Sequence, residues 1–426
     1  MDRLRTLLPL SLAAAACHGG TPVPSGTPLD PAPLSVPVAL DEGWELATVF
    51  RGDARINGVA CGELDPDAPG DEIVAVDRRG VVRMFRRAGE GFEPLDLGPG
   101  VPRNPGELVQ VICADLLPSV PGDEVVAVGM LDGGEDDGGP GLVRVLARLP
   151  GGWSEARLET PALVHAVTAG DLAPDRPGQE VVVAGYFGAA RLLGASVTAA
   201  GLALEDLSRP HDLEHQGNAK GACLTDGGFV LACDDGGLLE FVREEGGEIA
   251  LSTRRDLGAT LARIAPFPGD GVVVCDNSGQ FRLIERGASG RLDGATTALE
   301  RADNRLRGAV VADLLPDSVG VEAATAGYDG VVRVVRLDRV GLTFLQDPSR
   351  ADQLAWLTSK VRVARDSAKL HHLTTGELDG LGLCLVSCGY SGCVLAIHRA
   401  GSVSGSVSGA ASGAASDAGD RGGRRP

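Results

Sequence analysis

Six residues ahead of a recurring acidic residue, the chain places Asn57, Val109, His165, Lys220, Arg307 and His371. Arg263 falls at about the same place in another copy of the pattern. The three tyrosines of the chain, Tyr186, Tyr328 and Tyr390, stand in short glycine-bounded stretches of the same copies. Imidazole, guanidinium, ammonium and phenol brought to one place bind anions or sugars, and two neutral histidines can hold a metal. The chain is otherwise acidic, with Lys+Arg 39 against Asp+Glu 58 and a net charge of −19. A plainer alternative stays open, in which Arg263 and Arg307 pair with nearby carboxylates and the tyrosines only pack hairpins. His371 and His372 are adjacent, and neighbours on a strand point to opposite faces, so one inner site does not easily take both.

These residues need a scaffold that repeats, and the chain repeats itself about seven times. The clearest copies are ELDPDAPGDEIVAV from Glu63, DLLPSVPGDEVVAV from Asp115, DLAPDRPGQEVVVA from Asp171 and DLLPDSVGVEAATA from Asp313. Each has a glycine seven residues on (Gly70, Gly122, Gly178, Gly320) and a glutamate two beyond that (Glu72, Glu124, Glu180, Glu322). Each copy reads as strand, turn, strand, tight hairpin, strand, then a fourth strand opened by Gly and a bulky residue, as at Gly91-Phe92 and Gly152-Trp153. Two copies, from Gly221 and Ala262, lack the long first turn. The last copy, from Leu370, lacks a fourth strand, while Gly43-Trp44 opens a spare one before the first copy. Units of this period cannot bury their faces alone. The expected fold is an all-β, seven-bladed β-propeller over residues 43–400, closed by an N-terminal strand that completes the last blade. The column of cations and the hairpin tyrosines then share the channel mouth.

The ends read differently. Arg3 and Arg5, the apolar run Leu7–Ala16 and Ala14-Ala15-Ala16-Cys17 resemble an export signal with a bacterial lipobox, which makes Cys17 the lipidation site. Ala14 stands where that motif usually has Leu. Residues 18–42 are rich in Pro and suit a flexible tether, and 401–426, rich in Ser, Gly and Ala, suit a disordered tail. Of the remaining cysteines, Cys388 and Cys393 flank a hairpin and are candidates for a disulfide; Cys61, Cys113 and Cys223 suit small buried fillers. The acidic loop Asp132–Gly138 is a cation site or, more simply, a solvated hairpin tip. The long connection Arg350–Lys369, with Trp356, is a lid or a longer outer strand and loop.

The repeat resembles FG-GAP/VCBS-type units, the propeller family that includes the head of integrin α-subunits. In that family the first turn is typically Asp-x-Asp-x-Asp-Gly and binds calcium. Here only the first copy keeps several carboxylates, so the resemblance implies calcium, the single candidate cofactor, at Asp65, Asp67 and Asp71. The other copies carry Leu117, Ala173 and Leu315 where Asp65 stands, and their Asp115, Asp171 and Asp313 are expected to accept turn N–H bonds instead.

No Gly-x-Ser-x-Gly, His-Glu-x-x-His or phosphate loop with lysine occurs. The functional expectation is an exported, lipid-anchored, monomeric binding module that recognises a protein or carbohydrate on its hairpin face, touches the membrane through its lipid alone and does not bind nucleic acid. The alternative is a metal-assisted carbohydrate lyase or hydrolase at the channel mouth.

Overall fold

In the computed structural model, the described residues are 37–98, 101–104, 106–131, 139–186, 188, 190–209, 211–269, 271–316, 320–341 and 354–401, with backbone alone at 338–341 and 354–359. The export segment with Cys17, most of the tether, the acidic loop 132–138 and the tail from 402 lie outside them.

The alternating runs form strands arranged as seven antiparallel sheets, and no helix occurs among the described residues. The first strands are Ile56–Gly62, Leu108–Ala114, Val164–Gly170, Ala219–Thr225, Leu261–Phe267, Leu306–Ala312 and Leu370–Leu378. Each touches the next around a full circle, the last against the first. These seven strands wall a central channel. Because both faces of each sheet are apolar, burial needs a neighbour on either side. Seven buried clusters result, one between each pair of adjacent blades.

The circle closes as the spare strand suggests. Trp44–Arg51 runs antiparallel to Cys393–Arg399, from Trp44 opposite Arg399 to Arg51 opposite Cys393. Residues Val38–Ala39, expected within the tether, instead add a fifth strand to the sixth blade beside Arg365 and Ala364. The connection before the last copy is an outer strand, Leu354–Arg365, paired along Val331–Gly341; residues 342–353 lie outside the description.

The repeated Glu closes the long turn. Oε2 of Glu124 accepts the N–H groups of Leu116 and Leu117, each at 2.9 Å. Glu72, Glu180 and Glu322 do the same in their own turns. This corrects the assignment of those N–H groups to Asp115, Asp171 and Asp313. The residue before this Glu hooks the turn to the preceding blade: Asp71 N–H donates to Glu377 O at 2.7 Å, and Glu377 N–H donates back to Asp71 Oδ2 at 2.8 Å. Asp123 and Glu63 form the equivalent pair. Gly178, at φ +87°, passes so close to this neighbour that a Cβ would lie 2.4 Å from Leu116 O.

Glu124 is buried at 1% exposure, and burial pushes its carboxyl up to about 7, against the pull of its two N–H donors. Its Oε1 has no partner, so a proton there breaks no bond. A group whose pKa is raised on folding contributes stability that is complete below its unfolded pKa, near 4.5, and is lost as pH rises through 7. Glu124→Gln removes this component. Thermal unfolding is expected to show wild type losing ground to the variant between pH 5 and pH 8. A gap that stays constant with pH would mean the carboxyl is not shifted.

Cys388 and Cys393, the candidate pair, are not bonded to each other, and all eight described cysteines are free thiols. Cys388 lies opposite Val394, and both face the cluster between the last and first blades. Cys393, one residue earlier on its strand, therefore points to the other side.

Candidate functional site

Each first strand carries a one-residue bulge near its start. The unpaired residues are Asn57, Val109, His165, Lys220, Ala262, Arg307 and His371, which is the column read from the sequence in six of seven blades. A bulge re-aims a side chain that a regular ladder would hold against a neighbouring sheet. The exception is the fifth blade. Arg263 is not the bulged residue but the next one, level with Gly58, Gln110, Ala166, Gly221, Gly308 and His372. It lies one step deeper in the channel than expected.

The hairpins are tied to the same strands two residues ahead of each bulge. Tyr186 N–H donates to Leu163 O, Tyr328 to Arg305 O and Tyr390 to Lys369 O, at 3.0, 2.8 and 2.8 Å. Asp234 and Asn277 make the equivalent bonds to Asn218 and Thr260. The tie brings hairpin and column to one mouth, as expected. His165, Tyr186, Lys220, Arg263, Arg307 and His371 line one cavity of about 370 Å³. Tyr328 and Tyr390 form a cluster beside it, with hydroxyls 3.3 Å apart and ring centres 6.4 and 6.1 Å from His371. Asn218, Asp234, Thr260 and Asn277 complete the lining and were not singled out from the sequence. Asp234 and Asn277 stand at the tyrosines' place in their hairpins, so the alignment that found the tyrosines carried the signal.

The cations of the mouth are held by π faces and carbonyls. The Lys220 ammonium stands 4.1 Å from the Tyr186 ring centre and bonds its hydroxyl. The Arg307 guanidinium lies 5.2 Å from the ring of Tyr328, and Lys369 lies 5.1 and 5.5 Å from those of Tyr328 and Tyr390. Arg263 donates Nη1 to the carbonyls of Lys220 and Ala262 at 2.5 and 2.9 Å. Among the described residues neither Arg263 nor Arg307 joins an ion pair, so the plainer alternative of pairing with carboxylates does not hold for them. Arg55 does pair, with Glu107, and also stacks on Tyr390. The one carboxylate lining the cavity, Asp234, is taken up by the backbone and side-chain N–H groups of Asn218. Neutral holders position a cation without cancelling its charge.

Polar atoms left without partners in or beside this cavity include His165 Nδ1, Arg263 Nε and Nη2, Arg307 Nε and Asn277 Oδ1. Burial, then the neighbouring guanidinium of Arg263, holds the imidazoles of His165 and His371 well below the usual histidine range. Both are neutral near pH 7. His371 Nδ1 lies 2.8 Å from Asn57 O, which places the proton there and the lone pair on Nε2.

Two of the acidic side chains expected as calcium ligands have partners within the protein. Asp65 pairs with Arg148 and lies 3.8 Å from Arg86, while Asp71 is engaged by the Glu377 N–H. Among the described residues no group of three or more His, Cys, Asp or Glu side chains is placed to hold a metal ion.

No protein-family model matches this sequence, and no curated protein matches it. The likeness of the repeats to FG-GAP/VCBS units therefore rests on the spacing alone. Solved structures do resemble it. The WD40 β-propeller domain of Doa1 matches with a TM-score of 0.52 at 13% identity, over 84% of this chain and 97% of that one. Virginiamycin B lyase from Staphylococcus aureus matches at 0.51 and 9% identity, over 83% and 98%. A catalytically inactive histidine-to-alanine variant of that lyase with quinupristin matches at 0.50 and 8%, over 83% and 99%. At such identities the likeness extends to the fold alone, and this chain is a seven-bladed β-propeller.

Proposed function

We propose that this chain is an exported propeller, anchored by a lipid on Cys17, that works as a monomeric binding module. Its blades are units of FG-GAP/VCBS type. The hairpin face takes a partner that inserts an anionic group into the channel mouth. The observation that carries this reading is the set of cations held on tyrosine faces and carbonyls, on a chain that is acidic overall. The cavity volume suits a saccharide unit better than a flat protein surface, which makes an acidic carbohydrate the first partner to test and an acidic protein loop the second.

The test is calorimetric titration with a trigalacturonate, a glutamate-rich peptide and the neutral maltotriose. The acidic saccharide is expected to bind, and to weaken about tenfold or more as salt rises toward 1 M, where screening is short-ranged. Equal binding of the neutral sugar, or no binding by either acidic probe, would remove the reading.

The fixed tautomer of His371 supports a second reading, a lyase or hydrolase. A neutral imidazole with a free Nε2 beside a bound carboxylate is placed to accept a proton from substrate. Growth of ultraviolet absorbance from an unsaturated sugar product, lost in His371→Ala, would favour it over simple binding.

A further inference from the structure

The hairpin face is not evenly charged around its circle. Two residues per blade frame it: the one whose carbonyl ties the hairpin, and the hairpin residue whose N–H donates to that carbonyl. In the sixth, seventh and first blades these pairs are Arg305 with Tyr328, Lys369 with Tyr390 and Arg55 with Arg78. In the other four blades neither position holds a cation, and Glu107 and Asp234 stand among them. Every cation of the two rows therefore falls in one sector of three adjacent blades, and both carboxylates fall outside it.

Arg78, Arg305 and Lys369 are exposed, and among the described residues none of them joins an ion pair. The acidic residues of the same loops are mostly engaged elsewhere. Asp53 pairs with Arg79, Asp77 with Arg83 and Asp329 with Arg333, while Asp366 accepts the Ser391 hydroxyl and the Ala368 N–H. Asp303, exposed, is the one left over. Like charges gathered on one sector repel, and they attract a negative partner to it. The sector is also continuous with the mouth. Arg307, in the cavity wall, lies on the ring of Tyr328, whose hydroxyl is 3.3 Å from that of Tyr390. Tyr390 is 40% exposed, and its hydroxyl accepts Arg55 Nη1 at 2.9 Å. A line of guanidinium and phenol groups thus runs outward from the cavity.

We infer that this sector is an outer track for an acidic polysaccharide: the unit held in the mouth belongs to a longer chain, which leaves the channel over the seventh blade between the cations of the sixth and the first. The inference rests on the binding reading above and adds that the partner is a polymer with repeated negative charge. The rings favour a saccharide over a single-stranded nucleic acid. Tyr328 already carries Arg307 and Lys369, and Tyr390 carries Arg55 and Lys369. Those cations compete for the faces on which unpaired bases would stack. The phenol hydroxyls and the cationic N–H groups suit sugar hydroxyls and carboxylates.

Calorimetric titration of the full chain with trigalacturonate and hexagalacturonate tests this. The hexamer is expected to bind about tenfold or more tighter than the trimer, through added exposed ion pairs that each contribute a few-fold. That advantage should shrink toward 1 M salt. Arg78→Gln combined with Arg305→Gln, two exposed positions away from the cavity wall, is expected to cost the hexamer about fivefold more than it costs the trimer. The statistical gain that any longer chain brings survives in this variant, so the difference reports the track alone. A hexamer no tighter than the trimer, or an advantage unchanged in the double variant, would overturn the track and leave the reading of the mouth in place. Binding of an oligothymidylate of equal charge as tight as that of the hexamer would overturn the assignment to a saccharide. If the trimer itself does not bind, the track falls together with the mouth.

Discussion

Deleting residues 1–51 is expected to abolish the cooperative fold rather than merely lower its melting temperature. The strand Trp44–Arg51 is the outer strand of the last blade, although it lies more than 300 residues from its partner Cys393–Arg399. It also buries side chains in two interfaces. Trp44, 4% exposed, packs in the cluster between the sixth and seventh blades, and Val49 packs in the one between the seventh and first. Losing Trp44 alone costs about 3–5 kcal/mol by the usual range for buried aromatics, and a whole domain has only about 5–15 kcal/mol. The exposed edge of Cys393–Arg399 then offers an unpaired ladder for association with other chains. Circular dichroism and size-exclusion chromatography are expected to show a broad transition and soluble aggregates. A synthetic peptide spanning Gly43–Gly52, added in trans, should restore a sharp transition. Trp44→Ala gives the graded form, still folded but about 3–5 kcal/mol less stable in denaturant titration. A truncated chain that forms no aggregates and keeps an unchanged midpoint would mean the ring is not held by its seam.

The seam was legible because the repeat makes an absence visible. The copy from Leu370 has no fourth strand of its own, and Gly43-Trp44 has the opening of one. The mouth was legible for a similar reason, since the acidic mark counts back to the bulge in every blade that keeps it. The fifth blade has lost that mark along with its long turn, so nothing in its sequence separates Ala262 from Arg263. A bulge shifts the register by one residue, and that residue decides whether a side chain stands at the mouth or one step along the strand. Glu72, Glu124, Glu180 and Glu322 recurred visibly, yet their role was missed. Their partners are backbone N–H groups seven and eight residues back, which composition does not display. The Val38–Ala39 strand was hidden by its Pro-rich surroundings, because its pairing depends on an edge supplied by residues near 365.

Arg263→Met is expected to make the protein more stable and less functional at once. Arg263 is 4% exposed, has two nitrogens without partners and sits close enough to Arg307 for the two charges to oppose each other. Burial and the Arg307 charge pull its guanidinium down to about 10, which still leaves it ionised at pH 7. Natural cores rarely keep an uncompensated charge, because replacing buried ions with apolar side chains of similar size is often neutral or stabilising by about 1–4 kcal/mol. Methionine fills much of the same volume without a charge. The variant should therefore unfold at higher denaturant concentration than wild type. The same change removes a desolvated cation from the floor of the mouth, and truncating one partner of a buried charge pair usually costs about 2–5 kcal/mol of binding. Affinity for the acidic saccharide is then expected to fall by about 30-fold or more. Arg307→Met, nearer the solvent and backed by Tyr328, should weaken binding with a smaller gain in stability. The two measurements separate a site from a scaffold. A guanidinium placed to brace the fold would lose stability on replacement. One kept for a ligand gives up binding and gains stability. If Arg263→Met destabilises the chain while leaving saccharide affinity unchanged, the mouth is architecture and the binding reading falls with it.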